Sequence, residues 1–141
     1  MHDNGKGNTL GHFINDGKPE GQYTKWHDNG QQSDEATFKN GKLEGLATEW
    51  HENGQKSEEV TYKNGKKEGQ YTGWHQNGQK FVEGTYKDAK REGLVTGWYD
   101  NGKRSAEGTY KDGMKHGPFT TWDKDGKLIE QTTWKDGVKV K

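Results

Sequence analysis

Short runs in which Thr, Val and aromatic side chains interleave with polar residues and glycine recur along this chain. Two examples are Gln70-Tyr71-Thr72-Gly73-Trp74-His75 and Lys80-Phe81-Val82-Glu83-Gly84-Thr85-Tyr86. Runs of this kind favour strands, and no window of about eleven residues carries a helical period. Alternation places Thr72 and Trp74 on one side of their strand and Tyr71, Gly73 and His75 on the other. A two-residue turn at Asn77-Gly78 would add Val82, Gly84 and Tyr86 to the second side. A tryptophan stripe is therefore expected on one face and a Tyr/Val/Gly stripe on the other, unless a bulge merges them. The glycines between them, Gly73, Gly84, Gly97 and Gly108, leave room for a neighbouring ring to lie across the backbone.

The pattern repeats. Trp26, Trp50, Trp74, Trp98 and Trp122 are 24 residues apart each time, and so are opening glycines at Gly21, Gly45, Gly69, Gly93 and Gly117. Two threonine columns, a turn glycine and a lysine agree in all five copies, and an aromatic precedes the lysine: Phe38, Tyr62, Tyr86, Tyr110 and Trp134. Residues 21–141 therefore read as five tandem units and residues 1–20 as a degenerate N-terminal capping unit, which keeps His2-Asp3-Asn4-Gly5 and Asn15-Asp16-Gly17-Lys18. A fixed period of this length signals a stacked array.

Each unit holds two turn signals. Asp28-Asn29-Gly30 and its copies predict a tight two-residue hairpin. Asn40-Gly41, Asn64-Gly65, Asp112-Gly113 and Asp136-Gly137 predict a longer, looser connection to the next opening glycine. The fold class expected is all-β, an elongated single-layer antiparallel meander of stacked hairpins with ten to twelve strands. At ~4.8 Å per strand, equivalent residues would lie ~9.6 Å apart and six units would extend on the order of 55 Å. In the third unit Ala89 replaces the turn glycine, which costs about 1–2 kcal/mol if that position is left-handed.

Composition changes this picture little. Only 24% of residues are hydrophobic, close to disordered chains, but the net charge is zero and the aromatics sit at fixed positions. There is too little apolar material for a two-layer core, whereas an array needs only contacts between neighbours. The balance of 22 basic and 22 acidic residues argues against nucleic acid or an anionic membrane as main partner. No segment resembles a membrane span. With no cysteine, a cytoplasmic location is expected, or an exported one if a leader precedes these residues.

Candidate chemistry is sparse. His27, His51 and His75 form a column, but at ~9.6 Å no two could share a metal ion; exposed strand histidines are expected. Glu35, Glu59, Glu83 and Glu107 form another, best read as cross-strand partners of nearby lysines. No Ser-His-Asp set or phosphate loop appears, so no enzyme and no cofactor are expected. The tryptophan row offers a rigid recognition surface. Phe81 and Val82 in the third unit, and Leu128 and Ile129 in the fifth, break the polar pattern set by Ser57 and Glu58. The partner site expected comprises Trp50, Trp74, Phe81, Val82, Trp98, Leu128 and Ile129.

Tyr110-Lys111-Asp112-Gly113, followed by Lys-His-Gly and a strand ending in Trp, resembles the MORN repeats, and in particular the bacterial variant of the YwqK-family antitoxins. The resemblance covers residues 21–141 well and implies a protein-binding repeat module, with a toxin as partner. Two alternatives are a carbohydrate or cell-wall binding repeat, and a spacer that self-associates through its terminal edge strands.

Overall fold

The computed structural model describes residues 8–10, 14–15 and 17–140. Among these, every regular element is a strand, and an open 14-stranded antiparallel sheet follows chain order throughout. Twelve strands lie along its path, beginning with Asn8–Leu10 beside Gly21–Trp26 and ending with Val138–Val140 beside Leu128–Lys135. Each unit supplies an incoming strand that ends on its tryptophan and a returning strand that ends on its lysine. In the third unit these are Lys66–Trp74 and Lys80–Lys87, flanked by Lys56–Lys63 and Gly93–Trp98. Of the capping unit, a small hairpin pairs Ile14–Asn15 with Lys18–Pro19; His2-Asp3-Asn4-Gly5 lies outside the described residues.

The two turns exchange the roles expected of them. At the first, His75 N donates to Gln79 O at 2.8 Å and Gly78 N to His75 O at 3.0 Å. This is a three-residue loop whose last residue alone has positive φ, +89° at Gly78. Asn77 takes no left-handed conformation; its Oδ1 accepts a bond from Gln79 N at 2.9 Å. The second signal is the tight two-residue turn, with left-handed φ at both centres, 51° at Asn64 and 82° at Gly65, between the paired Lys63 and Lys66. Opposed left-handed residues match the twist of the flanking strands, which is why the Asn/Asp-Gly pair belongs here.

The strand register nevertheless agrees with the two-residue expectation, because two errors cancel. The three-residue loop slides the strands by one position. A bulge then slides them back: Trp74 pairs with Lys80 but Gly73 with Val82, leaving Phe81 as the extra residue. The same shift recurs beside Trp26, Trp50, Trp98 and Trp122. The two stripes therefore stay on separate faces.

The Tyr/Val/Gly face provides the core. Tyr71 and Val60 are paired across strands and are its buried apolar residues. Large and small residues alternate along this row: the Tyr71 ring lies over Gly84, and the Phe119 ring over Gly108. Gly73 and Gly97 instead face Val82 and Ser105. A second row sets Tyr62, Tyr86 and Tyr110 beside the opening glycines Gly45, Gly69 and Gly93. Those glycines are there for backbone shape, since their φ values are +84° to +92° and nothing stands within 4 Å of an added Cβ. Arg91 lies over both Tyr71 and Tyr110, at 5.9 and 5.4 Å from the ring centres.

So thin a core is reinforced by side chains that reach the backbone of the next unit. His27, His51 and His75 each place Nε2 2.8 Å from the carbonyl of Trp50, Trp74 and Trp98. Asn29, Asn53 and Asn77 donate to Glu52 O, Gln76 O and Asp100 O. Glu20, Glu44, Glu68 and Glu92 accept from the backbone N of Asn40, Asn64, Asp88 and Asp112. Three such bonds per junction, at about 1 kcal/mol each, are comparable with burying one aromatic at about 1.5–3 kcal/mol. The histidines are therefore half-buried staples and not the exposed strand residues expected.

Candidate binding surface

Thr48, Thr72 and Thr96 occupy the middle of the incoming strands on the face opposite the core, and each is buried. Two residues on from each stands Trp50, Trp74 or Trp98, half-buried on the same side. Because the described sheet has a single layer, the cover on the indoles comes, among the described residues, from other side chains of this face. Lys56 lies over Trp74 at 5.9 Å, Lys80 over Trp98 at 5.8 Å and Arg104 over Trp122 at 4.6 Å from the ring centre.

Each cation is also held by a carboxylate. Lys56 meets Glu59 at 2.9 Å, Lys80 meets Glu83 at 2.8 Å and Arg104 meets Glu107 at 3.3 Å. Glu59, Glu83 and Glu107 thus find their basic partners three residues earlier on their own strand, not across strands, whereas Glu35 has Gln32 at that place. The bulge between them makes this possible, because it brings a residue three positions away onto the same side. Gln22 and Gln70 add bonds to Glu35 and Glu83. The face is a lattice of threonine, glutamate, cation and indole repeated unit by unit.

Beside the indoles lie shallow notches. One of about 270 Å³ is bounded by Trp50, Gln31, Gln32 and Gly54, and one of about 400 Å³ by Trp122, Lys103, Arg104 and Gly126. Trp50 has Gln32 where later units have a cation. Leu46 and Leu94 project from the same face, 55% and 56% exposed. Sequence reasoning passed over these two leucines, although their column holds glutamine in Gln22 and Gln70 and that contrast was legible.

The seven residues expected to form one site are not brought together. Trp50, Trp74 and Trp98 belong to this face. Phe81 and Val82 belong to the other: Val82 pairs with Gly73, and the Phe81 ring packs 4.9 Å from that of His75. Leu128 pairs with Trp122 and so lies on the tryptophan side, 59% exposed, in the column of Lys56 and Lys80 and not that of Ser57. Ile129 takes the bulge position equivalent to Phe81 and is 63% exposed. Among the described residues no group of three His, Asp or Glu side chains is placed to hold a metal ion.

A search of curated proteins finds no match. The family model described as the MORN repeat variant matches five consecutive segments, residues 19–40, 43–64, 67–88, 91–112 and 115–136. Each runs from just before the opening glycine to the tight turn, so the family's unit is the hairpin seen here. With five matches spanning most of its length, the chain belongs to the MORN repeat variant family.

Proposed function

We propose that this chain is a non-enzymatic binding module that recognises another protein through its tryptophan face. The observation that carries this reading is the pair Leu46 and Leu94, more than half exposed beside half-buried tryptophans on a face that no second layer covers among the described residues. Aromatic anchors ringed by polar groups are typical of protein recognition surfaces. The inter-unit ladders hold them in fixed spacing, so little side-chain freedom is lost on binding. A protein partner suits the face better than a glycan. Sugar stacking needs an open indole, and the Lys56, Lys80 and Arg104 heads lie over Trp74, Trp98 and Trp122. The resemblance to antitoxin repeats makes a toxin the partner class to try first, with neutralisation by occlusion.

The test uses the chain with Leu46→Glu and Leu94→Glu together, beside a Phe81→Glu variant on the opposite face. Complexes from the source cells are sized by chromatography with light scattering. A stoichiometric protein complex lost in the leucine variant and kept in Phe81→Glu supports the reading. Loss in Phe81→Glu alone moves the site to the other face, and retention only on polysaccharide replaces the reading with the carbohydrate one.

A further inference from the structure

Zero net charge conceals a clustering of lysines along one edge. Three successive tight turns are each flanked by two lysines placed directly opposite one another: Lys39 with Lys42, Lys63 with Lys66, and Lys87 with Lys90. Like charges facing across a pair of strands destabilise it, and this chain makes that arrangement three times in succession. Among the described residues none of these lysines has an ion-pair partner. Glu44 and Glu68, beside these turns, accept bonds at 2.9 Å from the backbone N of Asn64 and Asp88, while the Asp88 carboxylate stands between Lys87 and Lys90 in sequence.

Two of the lysine stems also lie against the sheet edge. An added Cβ at Gly41 would stand 3.0 Å from Lys18 Cβ, and one at Gly65 would stand 3.5 Å from Lys42 Cβ. Each stem thus runs over the turn glycine of the next unit. Between them opens a groove of about 470 Å³ in which Lys18, Lys39, Lys42 and Lys63 outnumber one carboxylate, Glu44, and beside it another of about 400 Å³ where Lys42, Lys63 and Lys66 face Glu68 and Asp88. The paired lysines stop after the third turn, which already carries Asp88 between them. The last two turns carry Asp112 and Asp136, with Met114 and Val138 in place of the second lysine.

We infer that this lysine edge is a second binding surface, which takes an extended acidic segment of a polypeptide. It is independent of the tryptophan-face reading, being a different surface with different chemistry. Successive tight turns recur every two strands, ~9.6 Å apart. An acidic, unfolded segment favours the polyproline II conformation, in which every third side chain returns to the same side after ~9.3 Å. One carboxylate per lysine pair is the resulting match. A nucleic acid fits less well, because the described linings of the two grooves hold no aromatic or arginine on which bases could stack. A membrane surface fits less well too, as the grooves carry no apolar side chain to enter it.

The experiment measures binding of fluorescent decaglutamate by anisotropy at low salt, with decathymidylate and phosphatidylserine vesicles as competing probes. Lys42→Gln with Lys63→Gln is compared with Lys124→Gln with Lys127→Gln, which removes the same charge elsewhere. Decaglutamate should bind the parent, weaken about tenfold in the first variant, stay unchanged in the second and be released by salt. Melting of the first variant should not fall, since a repulsion has been removed. Equal weakening in both variants, no binding of decaglutamate, or tighter binding of either competitor would overturn the inference.

Discussion

The imidazole of His51 lies 2.8 Å from the backbone carbonyl of Trp74, so a side chain of one unit is tied to the main chain of the next. Since a carbonyl only accepts, Nε2 donates. In the fourth unit the same bond is made by Tyr99, whose hydroxyl donates to Trp122 O at 2.6 Å. His51→Ala should therefore lower stability by about 1 kcal/mol, while His51→Tyr keeps most of it. Urea unfolding of the three proteins decides the matter. An alanine midpoint equal to the parent's would mean that water satisfies this carbonyl as well as histidine does.

Ala89 is held at φ 69° in the second centre of a tight turn whose other copies use glycine there. The left-handed region places its Cβ against the following carbonyl. Ala89→Gly should stabilise the protein by about 1 kcal/mol, less than the full relief because glycine also gains freedom in the unfolded chain. A melting temperature that stays level or falls would show that the turn tolerates alanine.

What could be read from residues alone divides along physical lines. The period, the strands and the identity of the two faces were legible, because they depend on side-chain type at fixed spacing. Turn geometry was not: Asn77-Gly78 and Asn64-Gly65 are the same dipeptide, and only the hydrogen bonds each Asn makes separate a three-residue loop from a two-residue one. The face of Phe81 was hidden for a related reason. It is the bulged residue, where alternation is suspended, so parity could not assign it. The histidine staples were missed because their partner is a backbone carbonyl 23 residues away, which leaves no mark in the partner's identity.

Gly84 and Gly73 look alike in sequence but differ in what surrounds them. A Cβ at residue 84 would meet the Tyr71 ring at 2.8 Å, and the ring is buried and unable to withdraw. At residue 73 it would meet one methyl of Val82 at 3.0 Å, on a side chain that is itself half-buried. Gly84→Ala should cost about 2 kcal/mol by overpacking and Gly73→Ala under about 1 kcal/mol. Equal costs would indicate that the loss comes from strand backbone and not from the ring.

Glu49 stands opposite Asp34 on one neighbouring strand and Glu58 on the other. Partial desolvation between the neighbouring strands, then the charges of Glu58 and Asp34, push its carboxyl above the ordinary value of 4.5, with Lys67 opposing them, although the residue keeps much of its contact with water. The folded chain thus binds this proton more tightly than the unfolded one. The resulting stability is present below the ordinary value and is lost as pH rises through the raised folded value. At neutral pH the carboxylate is a liability, so Glu49→Gln should stabilise the protein there. Because the side chain is exposed and screened, the gain is on the order of 0.3 kcal/mol. Urea midpoints at about pH 7 and pH 3.5, with and without added salt, provide the check. The advantage of glutamine should vanish at the lower pH and shrink in salt, whereas an equal gain under all conditions would place its origin in packing and not in charge.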